Sequence, residues 1–124
     1  MNNLLIRVDA DPVMGTGHWM RCLALAQGWT TFGGQVTFLT REGSLFLKHT
    51  LDPEIKLAVL VGEDDAKETI TLAKKLNASW IVADGYHFDH EFQRQLKESG
   101  RKLMVMDDYG HASHYYADVV LNSN

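Results

Sequence analysis

The chain has 124 residues, 45% of them hydrophobic and 23% charged, enough for one domain that buries roughly two-thirds of its unfolded surface. A net charge of -4 without any block of like charge argues against non-specific nucleic-acid binding and against a charged tail. One cysteine, Cys22, excludes an internal disulfide framework and fits a reducing cytoplasm, and no apolar run approaches the ~20 residues of a membrane span.

The N-terminus, MNNLLIRVD, has neither a basic n-region nor a long apolar h-region, so no signal peptide is expected. The first β-rich run is Leu4–Asp9. It leads through Ala10, Asp11 and Pro12 to a glycine loop, Gly15-Thr16-Gly17-His18. A helix follows from Gly17 to about Phe32, with Trp19, Cys22, Leu23, Ala26 and Trp29 at near-helical spacing as a core face. Val36–Thr40 reads as the second strand, Ser44–His49 as one or two turns, and Lys56–Val61 as the third strand. Asp64 to Leu76 opens acidic and closes on AKKL, matching the helix dipole at both ends. Trp80–Asp84, a helix from Phe88 to Ser99 stopping at Gly100, Lys102–Asp107 and Asp118–Leu121 complete the series.

Strands apolar through consecutive positions, alternating with helices, predict a parallel sheet covered on both faces. The expected fold is therefore α/β, a Rossmann-like doubly wound sheet of about six strands, with residues 1–124 forming one domain. In such sheets ligands bind beyond the carboxyl ends of the strands. Asp9-Ala10-Asp11 with the glycine loop, Asp84-Gly85-Tyr86-His87, and Asp107-Asp108-Tyr109-Gly110-His111 all fall on that edge.

A dinucleotide site would need a third glycine, and Met20 stands there; Arg41 and Thr40 also blur the acidic residue Glu42 after the second strand. His18 has a clearer logic. The flanking glycines give close backbone approach, and a helix mouth favours a neutral imidazole able to accept a proton. The structural alternative is a histidine that caps the helix or bonds to Asp9 or Asp11. Arg21, one turn later, either binds an anionic substrate group or pairs with an aspartate of the same edge, and Cys22 reads as a small core residue. Asp107, Asp108, His111 and His114 match no tight zinc spacing, nor do His87 and His90, so neither a metal nor a cofactor is expected.

Three blocks carry a resemblance. RVDADPVMGTGHWMRCLALA, VADGYHFDHEFQRQL and KLMVMDDYGHASHYYADVVLNSN run in register over nearly the whole chain. They resemble the sugar-nucleotide hydrolases of pseudaminic acid biosynthesis (the PseG family) and the related spore-coat SpsG proteins. The matching residues are Arg7, Asp9, Ala10, Gly15, Gly17, His18, Met20, Arg21, Cys22 and Leu23, then Asp84 and Tyr86, then Asp107, Asp108, Asp118, Leu121, Asn122 and Asn124. The resemblance implies half of a GT-B architecture akin to the MurG-type glycosyltransferases. It implies release of UDP from a UDP-2,4-diacetamido-2,4,6-trideoxyhexose by water attack at the anomeric carbon, with inversion and without a metal. His18 would act as base, and Asp9, Asp11, Gly15, Gly17, Arg21, Tyr86 and Asp107 would line the sugar pocket. UDP would be held mainly by a C-terminal nucleotide-binding domain, the expected partner of this one. Two other functions fit the same residues: a UDP-sugar glycosyltransferase, in which His18 deprotonates an acceptor hydroxyl, and a non-catalytic domain that binds a sugar or a partner protein.

Overall fold

The computed structural model describes residues 2–13, 15–106 and 115–121. Among the described residues there are six strands: β1 (Asn3–Val8), β2 (Gln35–Arg41), β3 (Lys56–Leu60), β4 (Ala78–Asp84), β5 (Lys102–Met106) and β6 (Val119–Leu121). They form one sheet in the order β3-β2-β1-β4-β5-β6, and every adjacent pair is parallel. Three helices connect them, α1 (Gly17–Thr31), α2 (Asp65–Leu76) and α3 (His90–Glu98), with a 3-10 helix over Glu42–Thr50 between β2 and β3. This is the Rossmann-like arrangement expected from the alternation of strands and helices. The end strands depart from it, because β3 and β6 keep apolar residues such as Val59, Val119 and Val120 exposed.

Strand parity sorts the core into two layers. Leu4, Ile6, Val8, Val36, Phe38, Val82 and Met106 point to one face and meet Trp19, Cys22, Leu23 and Ala26 of α1. Leu5, Leu39, Ile81, Ala83, Leu103 and Val105 point to the other, under Ala66 and Ala73 of α2 and Phe92 and Leu96 of α3. The α1 side chains follow the spacing read from the sequence, except that Trp29 is only partly buried.

The helix ends explain where the elements begin. Asp64 accepts from the Lys67 amide at 3.1 Å and so caps α2, and Asn77 closes that helix in the left-handed region at φ 51°. Asp89 accepts from the Phe92 amide at 3.0 Å, which starts α3 two residues after the expected Phe88 and leaves Phe88 to pack in the core. Gly100 follows that helix at φ 86°, the conformation expected of it. By contrast α1 opens without a side-chain cap on Thr16 and without an acidic residue in its first turn. No acidic residue of α1 itself therefore faces the positive end of its dipole.

Candidate functional site

The strand order reverses direction between β1 and β4, the topological switch point where open α/β sheets bind ligands. Both strands end there in acidic residues. Asp84 closes β4 and Asp9 follows β1, but their side chains leave the sheet on opposite faces. Asp84 shares the parity of Val82 and faces α1, whereas Asp9 shares that of Arg7 and faces α2.

On the α1 side, His18 Nδ1 lies 2.6 Å from Asp84 Oδ1. Arg21 Nε is 2.6 Å from Asp84 Oδ2, and a terminal nitrogen of the same guanidinium is 2.6 Å from Oδ1. The Cys22 thiol donates to Oδ2 at 3.4 Å. Burial of Asp84 would raise its pKa, but the hydrogen bonds from Arg21 and His18 outweigh it, so the carboxyl is held below its ordinary value and stays ionised. An ionised carboxylate can only accept. Nδ1 is therefore the nitrogen that donates, and in the neutral imidazole this tautomer turns the Nε2 lone pair away from Asp84. Burial, then the charge of Asp84, pushes the Cys22 thiol up, so it is an inert core group rather than a nucleophile.

On the other side Arg7 is fully buried beneath the sheet edge. It grips Asp9 through two nitrogens at 2.7 and 2.9 Å, and Asp65 through Nε and a terminal nitrogen at 2.9 and 2.8 Å. Its guanidinium carbon sits 5.2 Å from the Phe88 ring centroid. Asp9 also accepts from the Thr40 hydroxyl at 3.0 Å and the Arg41 amide at 2.8 Å, and His87 Nε2 lies 3.5 Å from it. Burial acts to raise the pKa of Asp9, yet its bonds from His87, Arg7 and Arg41 carry it far below the ordinary range.

These two carboxylates set an acid limit on stability. Both have folded values depressed below 3.8, so their contribution is complete above that pH and is lost as pH falls through the folded values. Urea unfolding followed from about pH 6 to about pH 2 should show a falling midpoint, with a shallower fall in Asp84→Asn.

Between the two groups lies a cavity of about 330 Å³ lined by Asp9, Ala10, Asp11, His18, Arg41, Gly43, Ser44, Asp84, Gly85 and His87. The Ser44 hydroxyl both accepts from the Ala10 amide at 2.9 Å and donates to its carbonyl at 3.1 Å, pinning the loop after β1 to the 3-10 helix. Asp11 accepts from the Val13 amide at 2.8 Å and bridges to Gly15. Tyr86 is half-exposed and meets the His18 ring edge-on, with centroids 4.9 Å apart. A larger hollow of about 460 Å³ lies at the opposite end of the sheet, and none of its lining residues, Asn2, Trp29, Phe32, Gly33 and Gly34, ionises.

The structure thus brings His18, Asp9 and Asp11 to one cavity and sets Arg21 and Tyr86 against His18. Asp107, with Asp108, His111 and His114, lies outside the described residues. His18 pairs with Asp84, not with Asp9 or Asp11, because those two stand on the other side of the switch point or in the loop. Arg21 pairs with an aspartate of the edge, the second of its two sequence readings. Sequence reasoning gave Arg41 and Ser44 no site role, and it placed Asp84 and His87 on the edge without finding their partners His18 and Asp9. Asp84 carried a signal, since it shares the two-residue period of Trp80 and Val82 on the α1 face.

The edge is also less acidic than its sequence suggests. Among the described residues Asp9, Asp65 and Asp84 are each met by an arginine, from Arg7, Arg21 and Arg41. Among the described residues no group of three or more His, Cys, Asp or Glu is placed to hold a metal ion.

The two loop glycines differ in what they require. Gly15 has φ 94°, where an L side chain is strained, and Gly17 has an ordinary φ with nothing within 4 Å of an added Cβ. Gly15→Ala should cost about 1–2 kcal/mol in urea unfolding. Gly17→Ala should leave stability unchanged, so any loss of ligand binding in it reports close approach from outside the chain.

No family model matches the sequence. The chain is 25% identical over 121 residues to the uncharacterised protein MJ1062 of Methanocaldococcus jannaschii, covering 97% of this chain and 24% of that protein. It superposes on the crystal structure of Acinetobacter baumannii MurG with a TM-score of 0.68 and 12% identity, over 100% of this chain and 46% of MurG. It therefore spans about a quarter of the one and under half of the other. No helix among the described residues is long and apolar enough to cross a membrane. At that level of identity the likeness establishes the fold: a Rossmann-like α/β unit matching the N-terminal domain of MurG.

Proposed function

We propose that this chain is the sugar-binding, proton-handling half of a UDP-sugar hydrolase, with His18 as general base. One observation carries the reading: Asp84 accepts a hydrogen bond from His18 Nδ1 beside a cavity at the switch point, leaving Nε2 of the neutral ring to accept a proton. In the reaction, His18 Nε2 takes a proton from water as its oxygen bonds to the anomeric carbon. The bond from that carbon to the phosphate oxygen breaks, and UDP leaves with the electron pair on the opposite face, so the configuration inverts. Asp84 holds the imidazole, and Arg21 holds Asp84. Asp9, Asp11, Gly15, Gly17 and Tyr86 would line the sugar site, with Asp107 assigned to it by resemblance alone. A second domain would hold most of the nucleotide, and the sugar would be the 2,4-diacetamido-2,4,6-trideoxyhexose that the PseG resemblance suggests.

The likeness in fold to MurG favours a second reading in which an acceptor hydroxyl replaces water at the same base. One assay separates the two. The full-length polypeptide is given a panel of UDP-sugars, and UDP release is followed with and without sugar or lipid-linked acceptors. Release that needs no acceptor supports hydrolysis. Release only with an acceptor moves the function to transfer, and no release under either condition removes the enzymatic reading.

A further inference from the structure

The cavity has two chemically different walls. Asp84 shares the parity of Val82 and meets His18 on the α1 side, whereas Arg41 shares that of Leu39 on the side of α2 and α3, where His87, in the loop after β4, lies against Asp9 and Phe88. Asp9 links the second pair: its Oδ1 accepts from the Arg41 amide at 2.8 Å, and its Oδ2 lies 3.5 Å from His87 Nε2. The His87 imidazole is held although it is half-exposed. Its ring packs 4.0 Å from the Phe88 ring, and a Cβ on Gly85 would stand 2.9 Å from its Cε1, so residue 85 leaves room for it. The Arg41 guanidinium is also partly exposed and is steadied by the Gly62 carbonyl at 3.3 Å and by Asp65 at 3.9 Å. Arg7 and Arg41 together balance the charges of Asp9 and Asp65. This wall therefore offers donors from Arg41 and His87 without a bare carboxylate behind them.

We propose that Arg41 and His87 form an anion subsite that takes the phosphate group attached to the sugar, across the cavity from His18. The proposal rests on the reading of this cavity as a sugar-nucleotide site and adds where the leaving group goes. Displacement at the anomeric carbon needs nucleophile and leaving group on opposite sides, and the two walls supply that opposition. Negative charge that develops on the departing phosphate oxygen meets the guanidinium and the imidazole, which are fixed before the reaction.

The test is binding of inorganic pyrophosphate to the 124-residue chain, followed by NMR of arginine side-chain and histidine ring resonances. Pyrophosphate should shift Arg41 Nε–H and the His87 ring protons. Arg41→Met and His87→Gln should each weaken its binding about tenfold, the worth of one charge-assisted hydrogen bond on a half-exposed side chain. Lys75→Gln, on the exposed face of α2, should leave binding as it was. The proposal is overturned if millimolar pyrophosphate moves neither residue, if both site variants bind normally, or if Lys75→Gln loses as much as they do. Because the readout is binding, failure to release UDP in the functional assay would count against the enzymatic reading and not against this subsite.

Discussion

His18→Asn should lower the rate of UDP release by about 10²- to 10⁴-fold at saturating substrate, the usual worth of a positioned general base. The side chain is 15% exposed and its one strong bond goes to Asp84, so the variant should stay folded, with a circular dichroism spectrum like that of the parent. Asp84→Asn should fall nearly as far for a different reason. An asparagine amide can donate to Nδ1, which places the imidazole proton on Nε2 and leaves no lone pair toward the cavity. Combined, the two substitutions should cost little more than the worse of them, since they disable one unit. Full additivity would mean that Asp84 acts elsewhere, and a His18→Asn protein with the parental kcat would end the base assignment.

Arg7→Met should give the largest loss of stability, about 3–5 kcal/mol in urea unfolding. Arg7 has no exposed surface and is the shared cation of Asp9 and Asp65, whose side chains are 23% and 16% exposed. Its removal leaves two partly buried carboxylates side by side. The carboxyl of Asp9 then loses part of what depresses it, so less stability is tied to its ionised form and the deficit of the variant should narrow as pH falls toward about 4. Adding Asp65→Leu should recover much of the loss, because it removes the charge that Arg7 no longer meets. A loss below about 1 kcal/mol would show that the carboxylates reach solvent and that Arg7 is not what organises this edge.

The residues that set secondary structure were legible because they act locally. Asp64 three residues before the Lys67 amide, Gly100 after the last turn of α3, and the apolar spacing of α1 each depend on neighbours within a turn. The α/β class followed from their alternation, and the polar ends of β1 and β4 followed from the placement of acidic residues after apolar runs. The His18 loop was legible as chemistry for the same reason: two glycines and a helix start are a local pattern.

The partners of those groups were not local. His18 and Asp84 are separated by 66 positions, and Arg7 and Asp65 by 58. They meet because the fourth strand inserts beside the first, in a register that pairs Val8 with Asp84. Each strand residue then takes one of two faces by its parity. Sequence by itself determined the alternating fold, the glycine-flanked histidine and the acidic sheet edge. Only tertiary structure decided that Asp84 holds the histidine while Asp9 belongs to Arg7, since strand order and register come from the packing of both faces at once and no local pattern encodes them.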